Sequence, residues 1–324
     1  MIVTVAIAIA AGVASALMFA SISSGALISL VLFNLAPLPL MVAAIGWGPL
    51  TAAVGGVAAA TAFGLLFGMP FAMAYATTAA LPAWWLGHLA LLGRQVANAA
   101  PGESGATPPA NAMEWYPTGR LLLWIAGIAA LLAFVTLLTI GTDSEAIATA
   151  MKRGFSRLVR AFALRGVTID EGIIDTMAAI APAAVPTGPI IILTVNLWLA
   201  GKIAVTSGRL NRPWPDLKAT ALPPMTLVVL CVALAFCFTG GLLAVIAKVV
   251  AGALLTAYAL TGLAVLHTLT LALSNRVMWL IFSYTVMILL FWPLLAMAVL
   301  GLADAVFGFR ERFMRTRPPP LPAA

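Results

Sequence analysis

The chain reads as long apolar blocks parted by short polar ones. Residues 2–20 carry no charge, and predominantly apolar stretches follow near 49–68, 70–92, 119–140, 222–247, 250–273 and 277–303. Each approaches or exceeds the roughly 20 residues that an α-helix needs to cross the hydrocarbon of a bilayer. Two further stretches, 24–47 and 170–201, are apolar but interrupted. The first holds Asn34, Pro37 and Pro39, and the second holds Asp175, Pro182, Pro186, Gly188, Pro189 and Asn196. Proline removes a backbone donor and collides with the preceding turn. Within a membrane such a break persists only where protein or a cavity satisfies the freed groups. The stretch 170–201 is therefore expected to kink or to form a re-entrant hairpin. The pattern predicts an all-α fold, a polytopic transmembrane helical bundle of about eight or nine spanning or broken helices.

One segment has a different period. Over 143–167, Met151, Phe155, Leu158 and Phe162 share one helical face, and Lys152, Arg153, Arg157 and Arg160 lie largely on the other. Thr142 and Glu145 have capping-box spacing at its start, as Thr168 and Glu171 have before the next stretch. A basic amphipathic helix of this kind lies among the lipid headgroups. It is expected to anchor the chain there, to meet anionic lipid, or to recruit a cytoplasmic partner. A polar loop is expected at 93–118, and a basic, proline-rich, disordered tail at 309–324. What remains is one bundle domain, 1–308.

Composition strengthens the membrane reading. Hydrophobic residues make up 63% of the 324, and charged residues only 8%. A soluble domain carries about 25% charged residues. Too few polar side chains remain to cover a surface in water. Residues 2–20 lack a basic start, so they are expected to be a retained helix and not a cleaved leader. Seventeen Lys and Arg stand against ten Asp and Glu. They gather in the polar segments, as the positive-inside rule requires, so nucleic acid is not an expected partner. The amphipathic segment, the 203–221 loop and the tail are all basic, and all three favour the cytoplasm. A single crossing by 170–201 cannot put both of its flanks there. The C-terminus is expected to be cytoplasmic in a bacterial inner membrane, with the N-terminal side open.

No catalytic or nucleotide-binding motif is present, and no enzyme activity or cofactor is expected. Cys231 and Cys237 sit in one apolar segment at a spacing that suits neither a disulfide nor a metal. With two histidines, a His-rich metal site is excluded. Intramembrane polar and ionisable residues then become the candidates for ligand contact, because burying them is costly. They are Asn34 and Asn196 in the broken stretches, Asp175 near the start of 170–201, Lys248 between two apolar stretches, and His267 within one. Each has a structural alternative: amides bonding freed carbonyls, Asp175 at headgroup level, a snorkelling lysine, a histidine in a helix contact. Asp304, with Arg310 and Arg312 after it, reads as a helix-end ion pair.

Two stretches resemble a known family. The first is Leu38-Pro39-Leu40, then Gly46-Trp47-Gly48-Pro49-Leu50 and the Gly/Ala-rich run to Gly68. The second is Gly262-Leu263-Ala264-Val265 with His267, then Leu300-Gly301-Leu302-Ala303-Asp304 through Phe307, Phe309 and Arg310. The first resembles the Gly-x-Gly-Pro and small-residue-helix pattern of the superfamily of energy-coupling-factor transporter S components, and the second resembles the C-terminal signature of the YybS-like predicted membrane proteins, a family of unknown function in that superfamily. The resemblance implies a helical bundle that holds a small-molecule ligand near the outer face. It also implies small-residue ridges on the first helix that dock an energising ATPase module or other membrane protein. Ala6, Ala10 and Ala14, and one face over Ala8, Gly12, Ala16 and Ala20, resemble that device. S components generally have six helices, fewer than this chain, and no ligand-contact residue transfers from them. The leading expectation is a small-solute-binding or transport-related protein in the lipid bilayer. The alternative is a scaffold or envelope-biogenesis protein acting through its basic helix and tail.

Overall fold

The computed structural model describes residues 2–95, 113–163, 170–290 and 292–315. The helices in chain order are α1 (Ile2–Ala20), α2 (Leu27–Asn34), α3 (Pro37–Trp47), α4 (Pro49–Phe67), α5 (Met69–Tyr75) and α6 (Leu81–Ala90). A short antiparallel ladder of β1 (Gly93–Gln95) and β2 (Met113–Trp115) follows. Then come α7 (Thr118–Ile140), α8 (Ser144–Ala163), α9 (Glu171–Ala184), α10 (Thr187–Thr206) and α11 (Met225–Phe236). The chain closes with α12 (Gly241–Leu269), α13 (Arg276–Leu290), α14 (Pro293–Phe307) and α15 (Phe309–Arg315). The fold is all-α. Among the described residues, six helical runs are long and apolar enough to cross a membrane: 2–24, 27–47, 49–67, 118–140, 171–206 and 241–272. This is a multi-pass membrane protein.

Most expected breaks appear where the prolines put them. One apolar stretch ends at Asn34 and resumes with Pro37 as the first residue of α3. The other breaks at Val185–Pro186, and α10 runs on to Thr206. Pro293 opens α14 after a break from α13. Other boundaries differ from expectation. The stretch expected at 222–247 ends at Phe236, and Gly240 and Gly241 make the turn, Gly241 with φ 69°. Lys248 is thus inside α12 and not between two stretches, because the glycine pair, not the charge, marks the boundary. A π-turn at Ala76–Ala80 separates α5 from α6. Asp143, not Thr142, caps α8 by accepting from the Ala146 N–H at 2.7 Å. Asp170 caps α9 by accepting from Gly172, and Thr168 lies outside the described residues. So do most of the 93–118 loop, residues 164–167, and 316–324 of the tail, whose first residues form α15.

The chain divides into two compact units, Met1–Ile125 with Ile191–Pro215, and Ala126–Ile190 with Asp216–Ala324. In the first, α1 and α4 approach to backbone contact. A Cβ on Gly12 would strike the Gly55 carbonyl, and one on Gly55 the Ala8 carbonyl. The Ala8–Gly12 ridge is therefore used within the chain, while Ala6, Ala10 and Ala14 stay exposed. Phe19, Phe63 and Tyr75 pack together, with ring centroids 5.1 to 5.5 Å apart.

In the second unit α12 is the central element. At about 1.5 Å per residue its 29 residues exceed the hydrocarbon thickness. Its residues meet the broken segment at every fourth position. Lys248 meets Ala179, Gly252 meets Ala183, and Thr256 meets Thr187. Both series ascend, so the two run parallel in ridge-against-ridge packing. On another face α14 packs antiparallel, with Gly262 against the Met297 carbonyl and Gly301 against that of Tyr258. Ala133, Leu137, Ile147, Val245 and Val249 join α7 and α8 to α12.

Helices in lipid gain little from apolar burial against one another, so close backbone approach is a principal source of attraction. Gly262→Val and Gly301→Val should each lower stability in detergent by about 1–3 kcal/mol. Gly127→Ala, where a Cβ meets nothing within 4 Å, should leave the thermal unfolding temperature unchanged or higher.

Candidate functional site

The interruption between α2 and α3 follows from its two prolines. Pro37 has no N–H for the Phe33 carbonyl, which accepts from Ala36 at 3.2 Å. Pro39 has none for the Leu35 carbonyl, which takes the N–H of Leu38 at 2.9 Å. Leu38 is thereby diverted from Asn34, whose carbonyl loses its ordinary helical donor. The Asn196 side chain of α10 supplies the replacement. Its Nδ2 donates to the Asn34 carbonyl at 2.9 Å and to its own Ile192 carbonyl at 2.8 Å. From another direction, Ser15 Oγ donates to the Ala36 carbonyl at 2.6 Å, and Tyr75 Oη donates to Ser15 at 2.8 Å. Ser15 and Tyr75 are fully buried. They were not singled out from sequence, although a lone serine and a lone tyrosine in apolar runs were the available signal.

Asn196 is 1% exposed, and its Oδ1 has no partner among the described residues. The amide cannot usefully flip, since Oδ1 would then face two carbonyl oxygens. An acceptor is thus held beside interrupted backbone with nothing donating to it. An unsatisfied buried acceptor costs about 1–3 kcal/mol, so the position suits a hydroxyl, an ammonium, an amide N–H or a water. Asn34 is brought to this point through its backbone. Its own side chain donates back to the Leu30 carbonyl at 2.8 Å.

The other candidates belong to the second unit and are engaged there. Asp175 pairs with Lys152 of α8 at 2.5 Å, with both side chains about half exposed. Lys248 Nζ donates to the Ala179 carbonyl at 2.9 Å. That carbonyl is one residue beyond the one that Pro182 leaves without a helical donor. His267 Nε2 bonds Tyr284 Oη at 2.9 Å. On α8, Arg153, Arg157 and Arg160 are exposed, while Ile147 is buried and Met151 half-buried. Leu158 and Phe162 lie outside the residues whose side chains are described. Asp304 forms the expected helix-end pair with Arg310, at 2.7 Å, and Arg310 Nη1 also donates to the Lys218 and Thr220 carbonyls. Cys231 and Cys237 are both free.

No family model, curated protein or solved structure matches the chain.

Asn196→Ala should lower stability by about 1–2 kcal/mol, because it leaves the Asn34 carbonyl without a donor. Asn196→Gln should not restore it, since the longer side chain misplaces the amide. Thermal unfolding in one detergent checks both. A pH dependence belongs to the α8–α9 pair. Asp175 holds the Lys152 ammonium above the ordinary lysine range, first through the hydrogen bond and then through charge. A raised lysine stabilises the fold below its unfolded value, and the contribution is lost as pH rises through the folded one. Protection of the α8 amides, taken as exchange relative to the intrinsic base-catalysed rate at each pH, should hold through neutral pH and fall above the ordinary lysine range. Asp175→Asn should shift that onset downward.

Proposed function

We propose that this protein binds a small solute in the membrane, in the manner of an S component, at the α2–α3 break. The observation that carries the reading is the buried, unpartnered Asn196 Oδ1 beside interrupted backbone. Broken transmembrane helices with polar side chains at the break are a recurrent way to hold a solute near the middle of a bilayer. The free group here is an acceptor, so the solute would present a hydroxyl, amine or amide N–H. The exposed Ala6, Ala10 and Ala14 ridge on α1 supports docking of a separate energising module, since the other ridge is already covered by α4. The bacterial inner membrane and the YybS-like assignment belong to the same proposal.

A second reading rests on α8. Among the described residues, Arg153 and Arg160 make side-chain bonds only to carbonyls of their own helix, which leaves their charge open to a partner. This favours a scaffold that recruits a cytoplasmic protein.

Native mass spectrometry of protein purified in mild detergent separates the two. The solute reading expects a bound small molecule that is lost from Asn196→Ala but kept by Arg157→Glu/Arg160→Glu. Absence of a bound molecule from the unaltered protein contradicts it. The scaffold reading expects a co-purifying protein that is lost on charge reversal alone.

A further inference from the structure

The first unit carries its charge unevenly. Its described residues hold five cations, Arg94, Arg120, Lys202, Arg209 and Arg212, and one carboxylate, Glu114. Arg94 takes Glu114 at 2.6 Å. The segment 202–214 holds three of the cations, and none of the ion pairs among the described residues includes one of them. It folds back over the end of α10. Gly208 turns the chain with φ 66°, and Arg209 and Leu210 donate to the Ala204 carbonyl. Trp214 returns to lie against Gly201.

Each of the three cations is set on an indole face. Lys202 Nζ is 4.3 Å from the Trp214 ring centre, Arg209 Cζ is 5.1 Å from that of Trp47, and Arg212 Cζ is 5.6 Å from that of Trp115. A ring face attracts and orients a cation but does not neutralise it. Helix ends explain part of the placement. Arg212 Nη1 donates to the carbonyl of Ala90, the last residue of α6, at 2.8 Å, and a helix C-terminus favours positive charge. That does not account for Arg212 Nε, which is buried without an acceptor among the described residues, nor for the exposed Lys202 and Arg209. Trp85 Nε1, also on α6, is another buried donor without an acceptor among them. The exposed, unneutralised Lys202 and Arg209, with tryptophans beside them near the ends of apolar helices, describe a surface that lacks an anionic partner at the membrane–water boundary. Burial also holds the Arg212 guanidinium below its ordinary value, the direction expected where no anion sits beside it.

We propose that the 202–214 segment, with Trp47 and Trp115, binds the phosphodiester headgroup of an anionic phospholipid. Arg209 and Lys202 meet the headgroup from the exposed side, and the indoles lie at the level of the headgroups, where tryptophan is enriched. Basic sites between helix ends on the cytoplasmic side take anionic headgroups in this way.

The test uses the full chain in mild detergent with an equimolar mixture of phosphatidylglycerol and phosphatidylcholine, read by native mass spectrometry. Phosphatidylglycerol should be retained in preference to phosphatidylcholine. Lys202→Gln/Arg209→Gln should cut that retention by roughly tenfold or more. Both side chains are exposed, so the fold should survive, and an unchanged unfolding temperature checks this. Arg209→Gln alone, with a smaller loss, serves if the pair misfolds. Arg153→Gln/Arg157→Gln on α8 should leave the retained lipid that depends on Lys202 and Arg209 in place. Equal retention of both lipids, or undiminished retention in the Lys202/Arg209 variants, overturns the proposal. So does full displacement of phosphatidylglycerol by inorganic phosphate, which would mark a free-anion site.

Discussion

A carbonyl that loses its helical donor inside hydrocarbon must find another, because no water is there to provide one. That constraint organises the break between α2 and α3. In the first unit, two prolines remove donors from Phe33 and Leu35, the local turns absorb that loss, and the deficit passes to Asn34. Asn196 meets it from α10, while Ser15, itself held by the Tyr75 hydroxyl, donates to Ala36 two residues on. In the second unit the break lies along α12. Lys248 donates into the turn that Pro182 disturbs, and Gly252 lets the two backbones touch one turn later. Thr256 completes the row at Thr187. Asn196, Ser15 and Lys248 each donate to a backbone carbonyl of another helix or its adjoining turn.

Glycine and alanine do the complementary work. With no side chain at Gly12, Gly55, Gly252, Gly262 and Gly301, the paired helices come to backbone contact. Dispersion and weak polar contacts then have the short distances they need. The same geometry limits what the ridges of α1 offer to a partner. Ala8 and Gly12 are occupied by α4, and the ridge through Ala6, Ala10 and Ala14 stays exposed.

Much of this was legible in the sequence. The apolar blocks give the all-α membrane fold directly, and Pro37 and Pro293 mark their breaks because proline acts locally. Asn34 and Asn196 were both singled out, and they meet. Their pairing, across more than 160 residues of chain, is a tertiary fact that no local pattern encodes. Lys248 misled for a related reason: a charge in an apolar run resembles a boundary, but its true neighbour is a carbonyl on another helix. Asp175 pairs with Lys152, which a helical wheel of either segment alone does not reveal. The partnerships of Ser15, Tyr75 and the Trp-borne cations likewise depend on which helices become neighbours.

The central claim is that Asn196 is required because prolines displace the donor of Asn34. A double-mutant cycle in thermal unfolding tests it. Asn196→Ala is measured in the natural chain and in a Pro37→Ala/Pro39→Ala background, where Leu35 regains a donor and Leu38 can return to Asn34. The account predicts a loss of about 1–2 kcal/mol in the first case and much less in the second. An equal loss in both backgrounds would contradict it.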